Sequence, residues 1–369
     1  MTDPDPRARI VDLPTGGGAA AAALPGRLSA ARPAARVRFG EGAIIACDNL
    51  VRIYKVADLE VVALQGLDLL VEPREVIAIV GASGSGKTTL MNILGGVDVP
   101  SAGRAVVAGH DLTRMGRRER THYRRRVVGF VWQQTARNLL PYLNALENVE
   151  LPMTLEGRRD RRRRASELLG LVGLAERATH RPDRLSGGEQ QRVAIAIALA
   201  NQPSVVLADE PTGELDSETS VEIFELLRRV NAELGTTVVV VTHDPLVSEH
   251  VGRTVAIRDG RTSTETLRRT ERTDEGDHRV IAEEFAVLDR AGRLQLPRSH
   301  IEALELERRV RLRLEEDHVG VWPDRSSRGP GGTGMGGTRT DGTGTDGTGT
   351  DAAGVDPAER RGESPEPRR

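Results

Sequence analysis

The run Val76-Ile77-Ala78-Ile79-Val80 constrains this chain more than any other stretch, because of the loop it leads into. An unbroken apolar, mostly β-branched run of that length reads as a strand buried on both faces. Directly after it stand Gly81-Ala82-Ser83-Gly84-Ser85-Gly86-Lys87-Thr88-Thr89 and an apparent helix from Leu90 to Leu94. The pattern is G-x-x-x-x-G-K-[ST] in the context it requires, strand before and helix after. Val205 to Ala208 and Thr237 to Val241 repeat the buried-strand signature, with helix-like segments such as Ser166 to Leu174 and Gln190 to Ala200 between them. Apolar strands alternating with helices predict a parallel sheet covered on both faces, an α/β architecture.

The loop residues state their own chemistry. Glycines let backbone N–H groups close around phosphate oxygens, and a helix N-terminus adds partial positive charge. Lys87 can reach β and γ phosphates, and the Thr88 hydroxyl can ligate Mg²⁺. The chain carries only two lysines, Lys55 and Lys87, among many arginines, which makes the second stand out. The strand Val205-Val206-Leu207-Ala208 ends in Asp209-Glu210. Asp209 suits Mg²⁺ held through water, and Glu210 suits orienting or deprotonating an attacking water.

A second glycine-rich turn, Leu185-Ser186-Gly187-Gly188-Glu189-Gln190-Gln191-Arg192, opens a helix just before that carboxylate strand. It resembles the signature sequence of ATP-binding cassette (ABC) ATPases. The other family motifs stand in the expected order. Tyr54 resembles the aromatic that stacks on adenine, and Gln133 the Q-loop glutamine that senses Mg²⁺ and the γ-phosphate. Asp216 in Gly213-Glu214-Leu215-Asp216 resembles the D-loop, and His243 in Thr242-His243-Asp244 the switch histidine. The resemblance covers residues 44–262, one complete cassette, and implies a P-loop NTPase with a RecA-like core and a helical subdomain. It implies an ATPase using Mg²⁺, in which Gly81 to Thr89 hold the nucleotide and Thr88, Gln133 and Asp209 hold the metal. Glu210, His243 and Gln133 would serve hydrolysis. Family cassettes pair head to tail, so Ser186, Gly187, Gly188 and Glu189 would face the nucleotide of a second copy, making a homodimer. Two departures stand out: Ile197 where the family commonly has Arg, and Ala82 where Pro, Arg or Glu is frequent.

The segment Asn138 to Pro152, with Pro211 to Ser217, is similar to the lipoprotein-release and macrolide-export branch. That implies a separate transmembrane permease, FtsX/MacB-like, and a peripheral place on the inner face of the plasma membrane. No apolar run reaches the roughly 20 residues a bilayer requires. A soluble, non-transport ABC ATPase is the alternative, but the zinc modules, coiled coils or second cassette of such proteins do not occur here. Two arginine clusters, Arg117 to Arg126 and Arg158 to Arg164, read as solvated helix faces, or as contacts for acidic lipid headgroups or a permease loop.

Composition bounds the rest. The single cysteine, Cys47, excludes an internal disulfide framework, and aromatics at 2% leave the core to Val, Leu, Ile and Ala. Residues 1–43, rich in Ala, Pro and Gly with an acidic start, read as a disordered arm rather than a signal sequence. Residues 263–280 read as a polar linker. Residues 281–322 form a small β-rich segment in which Val287 to Pro297 reads strand-turn-strand, with a helix from Ser299 to Leu306. Asp289-x-x-Gly292-Arg293-x-x-x-Pro297 resembles the swapped hairpin of AbrB-like regulators, which implies dimerisation or regulation. A net charge of −2 disfavours DNA binding by this segment. The repeat-bearing tail, 323–369, is expected to be disordered.

Overall fold

The computed structural model describes residues 40–323, apart from 58, 135–136, 244–246, 248–249, 273–277, 290 and 307–308. The expectations for the N-terminal arm, for Asp244 and for the tail beyond Pro323 lie outside the described residues. The chain divides into two compact units between Ile301 and Glu302.

The first unit is built on a mixed seven-stranded sheet. Its parallel part joins β3 (Val76–Val80), β6 (Val128–Val131), β7 (Val205–Asp209), β8 (Thr237–Thr242) and β9 (Arg253–Arg258), in the order β9-β3-β8-β7-β6. The period-2 geometry of strands explains why these runs are apolar throughout. Ile77, Ile79, Val205, Leu207, Val239 and Val241 enter one core with α1 (Lys87–Leu94) and a four-stranded antiparallel sheet. Ala78, Val206, Ala208, Val238 and Val240 enter the other, with α3 (Ala145–Leu155), α4 (Arg161–Leu171), α5 (Gly187–Leu199) and α6 (Ser217–Leu234). The four-stranded sheet runs in the order β2 (Leu59–Val71), β1 (Ile45–Val56), β4 (Ala102–Val107), β5 (His110–Asp111).

The arginine-rich α2 (Arg117–Arg126) buries only Tyr123, whose hydroxyl donates to the Leu94 carbonyl, so its arginines are turned outward or sideways. Helix α4 starts within the second cluster, at Arg161 rather than Ser166, and the arginines of that cluster pair with Asp160, Glu150 and Glu167. Among the described residues no helix is long and apolar enough to cross a membrane.

Three sequence expectations give way. The linker expected over 263–280 is instead the antiparallel hairpin β10 (Arg261–Arg272) and β11 (His278–Ala286), which extends the central sheet beyond β9. Its polar sequence hides a strand because many of its side chains are only half-buried; pairing with β9 supplies the burial that the residues alone do not announce. The boundaries expected at 262 and 280 therefore fall inside paired strands. The strand-turn-strand expected over Val287 to Pro297 contains no strand among its described residues. Asp289 closes a tight turn there, accepting from the backbone N–H groups of Ala291 (2.9 Å) and Arg293 (2.8 Å).

In the second unit β12 (Val310–Leu314) pairs antiparallel with β13 (Val319–Pro323) as a two-stranded sheet. The helix preceding it, α7, spans Arg298–Ala303.

Candidate phosphate-binding site

The loop from Gly81 to Gly86 carries the chain from β3 into α1, and two features leave it open to an anion. Helix α1 starts from Gly86 with no side-chain cap and no acidic residue in its first turn, so its first N–H groups have no partner within the helix. Gly86 sits at φ 105°, and a Cβ there would meet the Ala63 carbonyl at 2.6 Å. Glycine is required on both counts. Lys87 is buried and folds back over the loop, its Nζ donating to the carbonyls of Gly81 (2.8 Å) and Ala82 (2.9 Å). The Ser85 hydroxyl is buried without a protein partner. Ala82, Ser83, Gly84 and Thr88 are exposed along the same loop, with Thr89 half-buried beside them.

Asp209 ends β7, and Glu210 follows in the left-handed region at φ 45°. That conformation costs about 1–2 kcal/mol for a residue with a Cβ and is held by the Glu210 N–H donating to the Val241 carbonyl at 2.8 Å. The result is a carboxylate gripped from two sides. Gln133 Nε2 donates to Glu210 Oε2 at 3.0 Å, and His243 Nδ1 lies 2.8 Å from Glu210 Oε1. Three chain segments thus converge on one carboxylate. Gln133, not its neighbour Gln134, makes the contact, because Asn138 brackets Trp132 on both backbone groups (2.9 Å each) and fixes the register of the turn.

The charges are unbalanced. Burial, with Glu210 next to it, raises the Asp209 carboxyl above its ordinary value, and Lys87 only partly offsets this. Burial likewise lowers the Lys87 ammonium, against the pull of Glu210 and Asp209. Asp209, Glu210, Thr88 and Gln133 all carry hard oxygen donors, carboxylate, hydroxyl and amide. That set fits Mg²⁺.

The remaining expected residues are engaged locally. Ser186 caps α5, its hydroxyl accepting from Glu189 N–H (3.2 Å) while Glu189 Oε2 accepts from Ser186 N–H (2.8 Å). A Cβ on Gly187 would only touch Leu215 at 3.5 Å, but one on Gly188 would meet the Thr219 methyl at 2.5 Å, so the signature turn and α6 pack at glycine distance. Asp216 caps α6 through Thr219 N–H (2.8 Å), a bond that holds its carboxyl below the usual range. None of these residues hydrogen-bonds to the Gly81 to Thr89 loop among the described residues. Tyr54 donates to Asp98 Oδ2 (2.7 Å), and one face of its ring is covered by the Arg52 guanidinium at 4.4 Å.

Sequence reasoning missed the backing of the loop. Gly260 N–H donates to the Ser85 carbonyl (3.0 Å), and Gly260 O accepts from Gln65 N–H (2.9 Å). The signal was present as Asp259-Gly260, both at positive φ (52° and 70°), the residue pair that favours a type I′ hairpin turn.

A glycine-rich loop between a buried parallel strand and a helix, faced by two carboxylates on a parallel strand end of the same sheet, defines a P-loop nucleotide-hydrolysing protein. The family model described as "ABC transporter" matches residues 64–213. An uncharacterised ABC transporter ATP-binding protein of Thermotoga maritima is 51% identical over 212 residues, 57% of this chain and 89% of the relative. The lipoprotein-releasing system ATP-binding protein LolD of Geobacter metallireducens is 47% identical over 215 residues, 58% of this chain and 95% of its own length. The macrolide export ATP-binding/permease protein MacB of Rhodopseudomonas palustris is 48% identical over 221 residues, and the match spans only 33% of that longer protein. Among solved structures, the dimeric cassette MJ0796 in a post-hydrolysis state with ADP and Pi matches at TM-score 0.55 and 42% identity, over 60% of this chain and 97% of that one. The chain belongs to the ABC transporter ATP-binding family and is an ATPase of that family.

Proposed function

We propose that the chain is the ATP-hydrolysing subunit of an ABC transporter in which two copies pair around ATP and drive a separate membrane permease. The observation that carries the reading is the triple junction at Glu210, held by Gln133 and His243 beside the open phosphate loop. Lys87 would exchange its two loop carbonyls for β- and γ-phosphate oxygens, and the loop N–H groups from Gly81 to Thr89 would enclose them. Thr88, Asp209 and Gln133 would hold Mg²⁺, which neutralises phosphate charge when bound. Glu210 would accept a proton from the attacking water, with His243 fixing the carboxylate and Gln133 reporting on its environment. Tyr54 would stack on the adenine through the ring face opposite the one that Arg52 covers. Ser186, Gly187, Gly188 and Glu189 would meet the nucleotide of the second copy, and Asp216 would lie at that same seam.

The likeness to LolD and MacB supports a partner permease of the FtsX/MacB kind and a place at the cytoplasmic face of the membrane. The cassette would begin near residue 44, and the C-terminal segment, AbrB-like in its Asp289 to Pro297 motif, would serve pairing or regulation rather than DNA binding. Glu210→Gln should bind ATP with little change while losing about two or more orders of magnitude in turnover; wild-type turnover would overturn the catalytic assignment. Affinity capture of that variant with ATP from detergent-solubilised native membranes should recover an integral membrane permease. Recovery of ribosomes or DNA instead would overturn the transport reading.

A further inference from the structure

The β9–β10 turn that backs the phosphate loop is gripped from outside by segment 287–296, irregular in its described residues. Arg258, the last residue of β9, donates through Nε to Gln295 Oε1 and through Nη1 to the Leu296 carbonyl, both at 3.2 Å. Arg261, the first residue of β10, lies 3.7 Å from Asp289 Oδ2. Val287 N–H donates to the Ser263 carbonyl at 2.9 Å. Between these two arginines sits Gly260, whose N–H reaches Ser85 O in the phosphate loop. One short relay therefore connects segment 287–296 to the loop: Gln295 and Leu296 to Arg258, then the turn, then Ser85.

The grip is polar rather than packed. Leu288 and Leu294 are 62% and 48% exposed, and a cavity of about 380 Å³ remains between the segment and β10 near Thr262. Contacts of this kind are each weak in water, yet enough to bias the turn and weak enough to be released. The segment's own turn is set by Asp289, which accepts from Arg293 Nε (2.7 Å) as well as from two backbone N–H groups.

We propose that Arg258 is a positioning residue for the phosphate-binding loop, and that segment 287–296 is the handle that sets it. This rests on the reading of Gly81 to Thr89 as the ATP site. The handle holds the turn, the turn holds Ser85, and the loop is kept in the shape that receives phosphate. Anything that pulls the handle away lowers the affinity for ATP without touching Glu210, Gln133 or His243.

The test is ATP hydrolysis by the full chain with Arg258→Ala, Asp289→Ala and the double variant. Each single change should raise KM for ATP about two- to tenfold, with kcat within about twofold. The double variant should be no worse than the worse single one, since opening the Asp289 turn displaces the Gln295 and Leu296 acceptors that Arg258 holds, and both changes therefore lose the same contact. Arg258→Lys, which keeps one donor group, should recover part of the loss. An unchanged KM in Asp289→Ala, additive shifts in the double variant, or a fall in kcat at constant KM would overturn the proposal. Asp289 is outside the central sheet, so this variant decides the matter even if Arg258→Ala folds poorly. Lys87→Ala separates the two levels. If it leaves ATP binding intact, the reading of the loop fails; if it abolishes binding while the relay variants leave KM alone, only the handle fails.

Discussion

Two glycine-rich turns open helices in this protein, and they finish the start of those helices differently. At α1 the N-terminus is left unfinished: Gly86 offers no side chain and no acid stands in the first turn. At α5 part of the same need is met inside the chain, by the reciprocal bonds of Ser186 and Glu189. Both are rich in glycine and serine, so composition does not separate them. The first is a seat for an anion, completed by Lys87; the second is a capped end whose Gly188 serves close packing against α6. A phosphate therefore has an electrostatic reason to settle on α1. At α5 the Ser186–Glu189 cap already engages part of that end, and a contact there has to come from a second molecule brought against it.

Changes at each turn should separate along this line. Lys87→Ala removes the ammonium from the open seat and should weaken ATP binding about ten- to hundredfold, the scale of a lost charge-assisted bond or two; nucleotide titration by equilibrium dialysis reads it directly. Gly188→Ala drives a methyl into Thr219 and should cost about 1–3 kcal/mol of stability despite the better helix propensity of alanine. Adding Thr219→Ser removes the opposing methyl while keeping the hydroxyl bonded to Asp216, and should restore most of the loss in a urea melt. Ser186→Ala empties the cap and should cost about 0.5–2 kcal/mol. If the melt is unmoved, the cap is not what holds α5. Glu189→Gln keeps both halves of the capping box, since glutamine serves there as glutamate does. It should stay within about 0.5 kcal/mol of the parent, and a larger drop would mean that the carboxylate charge matters beyond the cap.

The central sheet was legible because burial on both faces forces an unbroken apolar run, and Val76 to Val80, Val205 to Ala208 and Thr237 to Val241 can be nothing else in a chain this charged. The hairpin β10–β11 was not, because an outer strand is shielded only in part and tolerates Thr, Arg and Glu. Its turn, Asp259-Gly260, was the readable clue. The candidate site divides in the same way. The loop and the two acids sit within short local motifs, each with its own chemistry, whereas Asn138, Gly260 and Arg258 matter only through the partners that the fold brings to them.

By itself, then, the sequence determined the local devices: a strand-loop-helix unit with an uncapped helix end, a strand tipped with Asp209 and Glu210, and a Ser186–Glu189 capping box. Each follows from residues within a few positions of one another, where backbone geometry leaves few choices. Tertiary structure alone decided that Gln133 and His243 share the Glu210 carboxylate, that Gly188 rests on Thr219, and that segment 287–296 takes hold of the turn behind the phosphate loop. Those are contacts between separate segments, set by how the strands order in the sheet and how closely the helices pack upon it.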